Sequence, residues 1–410
     1  MTHRPHSADL RVKPVETDEE LRLANDLMAK AHYADYFAAL HWLETCGAGY
    51  PGYHREHTRI AVWKNEVAGA LRMNTEIVRI GEARLKVGGF GWVTTCTRHR
   101  QKGVCRALMV DTLQYMRDHN YHVSMLFGIP NFYHRFGFVT TLSDHSIIMD
   151  LEEALTSIYA RYRMRDAKPG DILAIQKLHA ANDAEVTCSL LRSCAHLTNK
   201  WDIRGKGMRV LTTEQGKVVA YFLARKDGDH LTVEEVGFAD MAACEQVLGA
   251  SARIAADEAV GRIHFLVPPS HPFAHFLLLY KTTHQMQVVR DTGGMMAFIN
   301  LGETLENLIP EWENLLARSA LRDARTEFTV LVDGSPYRLR ANRGAIDVAQ
   351  FPGKNKVSVT AAELMHLVTG YRHAEDILAT RRRLITTEAR ALISALFPKH
   401  NPYVWLFDRF

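Results

Sequence analysis

At 410 residues the chain is long enough for two to four domains, and 47% hydrophobic with 23% charged residues describes a globular protein with ample core. A net charge of +4 is too slight to argue for nucleic acid as a partner. The six cysteines form no Cys-x-x-Cys pair, the 21 histidines no His-Glu-x-x-His pattern, and no apolar run reaches bilayer length, so neither a metal nor a membrane is expected and a reduced, cytoplasmic setting is.

The polar stretch Met1 to Asp18 lacks the apolar centre of a signal peptide. Arg11 to Val15 reads as an edge strand, and Leu21, Ala24, Leu27 and Met28 share a helical face behind an acidic start. Tyr33, Tyr36, Phe37 and Trp42 either line a substrate pocket or pack into the core. Strand-like pieces follow at Thr58 to Trp63 and Glu66 to Met73, joined by Lys64-Asn65. A second pair, Ile77 to Ile80 and Ala83 to Val87, turns at Gly81-Glu82.

The most informative stretch runs from Val87 to Phe138. Gly88, Gly89 and Gly91 interrupt an apolar strand, which suits a bulge or a close backbone approach. The turn Arg98-His99-Arg100-Gln101-Lys102-Gly103 gathers positive charge. A helix then opens, with Cys105, Leu108, Met109, Thr112 and Met116 on one face and Asn120 as its stop. Amide groups at a helix start beside several cations make a site for a phosphate or pyrophosphate. A second strand and a short aromatic helix, Tyr133-His134-Arg135-Phe136-Gly137-Phe138, close the stretch.

This order resembles the GNAT superfamily of acetyl-CoA-dependent N-acetyltransferases. Arg100-Gln101-Lys102-Gly103-Val104-Cys105 fits the family's Arg/Gln-x-x-Gly-x-Gly/Ala loop except at Cys105, and Thr97 stands where the family often has Pro. Tyr133 to Phe138 matches the Tyr-x-x-x-Gly-Phe ending. A fainter echo comes later: Gln215 to Phe222, His230 to Phe238, a helix over Asp240 to Ala256 and a strand over Arg262 to Val267 repeat the plan, but Ala239-Asp240-Met241-Ala242 has neither cations nor glycine at the turn. Strands at Phe328 to Val332, Tyr337 to Arg340, Ala345 to Val348 and Lys356 to Val359 then precede a capped helix, Thr360-Ala361-Ala362-Glu363, stopping at Gly370. This last segment resembles the sterol carrier protein fold.

Together the three parts are similar to the enhanced intracellular survival family of acetyltransferases. The resemblance implies a mixed α/β chain of tandem GNAT-fold domains, the second degenerate, followed by a sterol carrier protein-like domain: residues 1–150, 151–295 and 296–410. It implies acetyl-CoA as co-substrate, a small-molecule amine as acceptor, and self-association, as hexamers in the family. Trp92, Val93, Thr94 and Thr95 would pair with the pantetheine arm. Arg98, Arg100, Gln101 and Lys102 would meet the phosphates, with Gly103, Val104 and Cys105 supplying amides.

Tyr133 is the expected general acid, since a phenol with ordinary pKa of about 10 keeps its proton at neutral pH. His134 is its rival. The aromatic ending Trp405-Leu406-Phe407-Asp408-Arg409-Phe410 suggests a docked tail. By resemblance the α-carboxylate of Phe410 is the base, with Asp408 as alternative and Arg409 as a neighbour that offsets local acidity. A non-catalytic acyl-CoA-binding regulator and a lipid carrier remain the other readings.

Overall fold

The computed structural model describes residues 9–32, 35–157, 161–379 and 385–410, so the expectation for Tyr33 lies outside the described residues. The chain begins with β1 (Leu10–Pro14), α1 (Asp18–His32) and α2 (Tyr36–Trp42). These lead into β2 (Thr58–Trp63), β3 (Glu66–Ile80), β4 (Ala83–Thr95), α3 (Val104–Asp118), β5 (Val123–Gly128), β6 (Val139–Leu142) and β7 (Asp144–Asp150). Lys64 and Asn65 both take positive φ, the geometry of a two-residue hairpin turn. The four short strands expected between Thr58 and Val87 are three, because Asn74 and Glu76 are buried and let β3 run on unbroken from Glu66 to Ile80. The apolar strand expected across Gly88, Gly89 and Gly91 likewise joins the piece expected at Ala83 to Val87 in one long β4, which ends at Thr95.

The second part supplies β8 (Arg163–Asp166), β9 (Met208–Thr212), β10 (Val218–Asp227), β11 (His230–Phe238), β12 (Arg262–Phe265), β13 (Thr283–Gln287) and β14 (Gly293–Phe298). The helix Met241–Asp257 follows β11 and starts on an ordinary aspartate cap, with Asp240 accepting from the Ala243 amide. The third part forms β15 (Arg325–Val332), β16 (Ser335–Asn342), β17 (Ala345–Ala349) and β18 (Lys356–Val359). Its helix Ala361–Val368 carries the expected Thr360–Glu363 capping box.

Three sheets result, ordered β1-β2-β3-β4-β5-β14-β6, β13-β7-β12-β11-β10-β9-β8 and β17-β16-β15-β18. The first two exchange a strand: β7 pairs with β12 in the second sheet, while β14 inserts between β5 and β6 in the first. Sheet boundaries therefore do not coincide with the chain positions 150 and 295. One buried cluster joins Val87, Val123 and Met125 of the first sheet to Trp312, Phe328 and Leu392 of the third part, so those parts share a core.

The C-terminal segment runs back along this assembly. Ser143 donates its amide to Pro402 O at 3.3 Å, and Tyr403 donates to Thr187 O at 2.9 Å. Tyr403, Val404, Trp405 and Phe407 are almost wholly buried. Burying each such side chain stabilises by about 1.5–3 kcal/mol relative to leaving it in water, enough to overcome the fraying usual at a chain end. Among the described residues no helix is long and apolar enough to cross a membrane.

Candidate active site

β4 and β5 pair in parallel only from Val87–Val123 to Phe90–Leu126. Beyond Phe90, β4 follows β3 through a register break opposite Ala70 and Arg72, and Trp92 is driven to a φ of 57°. A bulge bends its strand and strengthens the local twist. Among the described residues no strand pairs with β4 on the β5 side from Gly91 to Thr95. Trp92, Val93, Thr94 and Thr95 all lie along this open edge. Some of their groups are already engaged: Val93 O is 3.2 Å from His32 Nε2, and the Thr94 hydroxyl donates to Trp92 O at 3.0 Å.

At the end of β4 a short turn over Thr97–His99 leads to Gly103, whose φ of 85° caps α3. The first backbone bond of the helix runs from the Ala107 amide to Gly103 O. The amides of Val104, Cys105 and Arg106 precede it and need partners from outside the helix. A Cβ on Gly103 would meet nothing within 4 Å, so the space over this helix start is open. Open space and aligned amides suit a diphosphate. The cations distribute less simply than expected. Arg98 Nη2 and His99 Nε2 each lie 3.6 Å from Glu66, and Lys102 Nζ sits 5.6 Å over the Trp63 ring. Arg100, Gln101 and Lys102 are exposed on the turn.

Tyr133 and Phe410 reach the gap between β4 and β5 from opposite faces of the sheet. On one face, Gly128 carries no side chain because the Tyr133 ring occupies its place: a Cβ there would stand 2.4 Å from Tyr133 Cδ2. Tyr133 packs with Phe90, Leu126 and Leu108 of α3, and burial pushes its phenol up to about 12, with Cys105 adding a smaller push. Burial likewise raises the Cys105 thiol to about 11. On the other face, the Phe410 ring covers Gly89, where a Cβ would stand 2.3 Å from Cζ, and it meets Phe127 edge-on with centroids 6.1 Å apart. The carboxyl carbon of Phe410 lies 3.4 Å from the position of a Cβ on Gly91.

The rival groups stand elsewhere. His134 is exposed on its 3-10 turn. Asp408 is buried, and its two oxygens accept from Arg192 Nε and Nη2 at 2.9 and 2.8 Å, so its carboxylate is engaged by a guanidinium. The Arg409 guanidinium pairs with Asp144 and lies 4.7 Å over the Phe127 ring.

Beside the gap, Trp92 packs between Trp42, 5.2 Å away, and His32, 5.6 Å away. Trp42 thus belongs to the wall of the site. Tyr36 donates to Asp26 at 2.8 Å, and Phe37 is 79% exposed. Residues not anticipated are Arg72, Asn74 and Glu76, which the β3–β4 register puts on the same face as Gly91, Gly89 and Val87. Arg72 is buried, donating to Asn25, Leu43 O and Thr58. Glu76 accepts from the Tyr50 hydroxyl, and burial raises its carboxyl to about 7. Their signal was present in the sequence as three polar residues spaced two apart along one strand, at 72, 74 and 76.

A sequence model of the acetyltransferase (GNAT) domain matches residues 16–141. No curated protein matches the chain by sequence. Solved structures match over nearly its full length. A GCN5-related N-acetyltransferase from Anabaena variabilis is 14% identical, covers 98% of this chain and 100% of its own, and has a TM-score of 0.75. One from Kribbella flavida is 17% identical, covers 98% of both chains and scores 0.74. Eis1 from Mycobacterium abscessus is 15% identical, covers 98% of this chain and 100% of its own, and scores 0.64. At these identities the likeness is one of fold. Residues 16–141, with their open strand edge and glycine-capped helix, are a GNAT acetyltransferase domain.

Proposed function

We propose that the protein is an acetyl-CoA-dependent N-acetyltransferase acting on a primary amine, with Tyr133 as general acid and the α-carboxylate of Phe410 as base. The observation that carries this reading is the seating of the chain end: the Phe410 ring fills the place of a Gly89 side chain, and its carboxyl carbon stands beside Gly91.

Acetyl-CoA supplies the thioester. The amides of Val104 and Cys105 and the turn at Gly103 hold its diphosphate, with Arg100 and Lys102 at hand. The open edge of β4 from Gly91 to Thr95 orients the arm by backbone hydrogen bonds, and an amide there faces the developing oxyanion. On one face of the sheet, Tyr133 keeps its proton through the working pH range and donates to the sulfur as negative charge builds on it. On the other, the terminal carboxylate accepts the amine's proton. With an ordinary pKa of about 3.5 it does not deprotonate a free ammonium, so it acts as the carbon–nitrogen bond forms and the nitrogen turns acidic.

The acceptor class is a primary amine on an aminoglycoside, a polyamine or a lysine side chain. The Trp42–Trp92 wall supports this, because indole faces attract ammonium groups. The third part reads as a sterol carrier protein-like domain used to deliver the terminus. Extending the chain by three residues beyond Phe410 tests the assignment: thiol release from acetyl-CoA with an amine acceptor should fall at least 100-fold while calorimetric binding of acetyl-CoA persists. Unchanged turnover removes the terminal carboxylate from the mechanism.

A further inference from the structure

Apart from Ser143 and Asp144 of the first part, the polar contacts that hold residues 402–410 to the rest of the protein come from the second part of the chain. Arg192 is fully buried and makes two forks. Its Nη1 and Nη2 donate to the Glu235 carboxylate at 2.9 and 3.0 Å, and its Nε and Nη2 donate to Asp408 at 2.9 and 2.8 Å. The same guanidinium lies 4.5 Å over the Phe407 ring. Lys200 Nζ donates to Phe407 O at 3.2 Å, and Trp405 Nε1 donates to Asp183 at 2.8 Å.

Glu235 stands on β11 just past the point where β11 and β12 stop pairing, at Val233–Phe265. That is the counterpart of the gap between β4 and β5. Here the space is filled by the tail: Trp405 and Tyr403 belong to the core of the second sheet, and Tyr403 donates to Leu266 O at 3.0 Å. The second part thus lacks the cations and glycine of the phosphate turn and has its own gap closed by the segment it holds.

Apolar filling would bury Trp405 and Phe407 without help from charge. A planar guanidinium gripping a carboxylate through two nitrogens adds direction, because both bonds must align at once. The gripped residue is two positions from the end, within about 7 Å of the terminal carboxylate along the chain. We propose that the second part is a clamp for the C-terminus, and that Arg192 is a positioning residue which, by holding Asp408 against Glu235, sets where the Phe410 carboxylate stands. The consequence for turnover rests on the reading of that carboxylate as base; the clamp itself does not.

Two variants of the full chain test it. Arg192→Lys keeps a charge but loses the fork, and Asp408→Ala leaves the buried Arg192–Glu235 pair intact, so it stands in if Arg192→Lys does not fold. The first readout is release of Phe410 by a carboxypeptidase, which needs no transferase activity. It should accelerate at least tenfold in either variant, and undiminished protection of the terminus overturns the clamp. The second readout is thiol release. The kcat should fall about 10–100-fold, as for a reacting group misplaced by about 1 Å, with KM for acetyl-CoA unchanged. Asp408→Ala should cost nothing further in the chain extended beyond Phe410. Losses that multiply in that combined variant overturn the positioning role, as does faster Phe410 release with kcat unchanged.

Discussion

Adding a single methyl group at Gly89 separates the seating of the chain end from its chemistry. In Gly89→Ala the new Cβ would lie 2.3, 2.5 and 2.7 Å from three atoms of the Phe410 ring, where ordinary contact begins near 3.4 Å. Gly89 is on β4 within its paired stretch, hydrogen-bonded into the sheet on both sides, so the strand does not yield. The ring must withdraw by about 1.1 Å. Overpacking of this kind costs about 1–3 kcal/mol, which lowers the population of the seated terminus about 5- to 150-fold. The expected result is a fall in kcat of that size, measured by thiol release, with acetyl-CoA binding retained. Gly91→Ala is the matched control for seating. Its Cβ meets the Phe410 carboxyl carbon at 3.4 Å, an ordinary contact, and the terminus should remain as protected from carboxypeptidase as in the parent chain. A Gly89→Ala protein that turns over at the parent rate, with its terminus demonstrably loosened, would refute the role given to Phe410. One whose terminus stays protected would refute the slot itself.

Tyr133→Phe should lower kcat by about 10²–10⁴-fold and leave calorimetric acetyl-CoA binding unchanged, since the ring packing over Gly128 survives. Because burial raises the Tyr133 phenol from 10.0 to about 12, the unfolded chain releases this proton first, so Tyr133 makes stability fall as pH rises across that window. Thermal melts of Tyr133→Phe should show a shallower decline there. Glu76, raised by burial from 4.5 to about 7, works in the same direction lower on the scale: its stability contribution is complete below about pH 4.5 and is lost as pH climbs to about 7. Glu76→Gln should therefore be more stable relative to the parent at pH 8 than at pH 4.5, read as the difference between paired melting curves. Gly103→Ala should weaken acetyl-CoA binding about tenfold by calorimetry and cost about 1 kcal/mol of stability. Nothing crowds the new methyl, so the penalty is that of placing an L-residue at a φ of 85°.

Local chemistry was legible in the sequence wherever it depends on neighbours along the chain. The turn at Lys64-Asn65, the helix after Gly103 with its stop at Asn120, the aromatic 3-10 turn at Tyr133 and the Thr360–Glu363 capping box are all short-range arrangements of φ, side-chain oxygen and helical spacing. The burial of the tail was also readable, because a chain end carrying Trp405, Phe407 and Phe410 has more to gain from packing than from solvent. Tertiary structure decided the rest. Period-two patterning marks which residues share a face but not which strand lies alongside, so the exchange of β7 and β14 between sheets could not be foreseen. Nor could the diversion of Arg98 and Lys102 to Glu66 and Trp63, or the capture of Asp408 by an arginine 216 residues away. Tyr133 and Phe410, so far apart in the chain, approach the same gap from opposite faces of the sheet for one reason. β4 leaves β5 after Phe90, and only the folded sheet has two faces for these two residues to approach from.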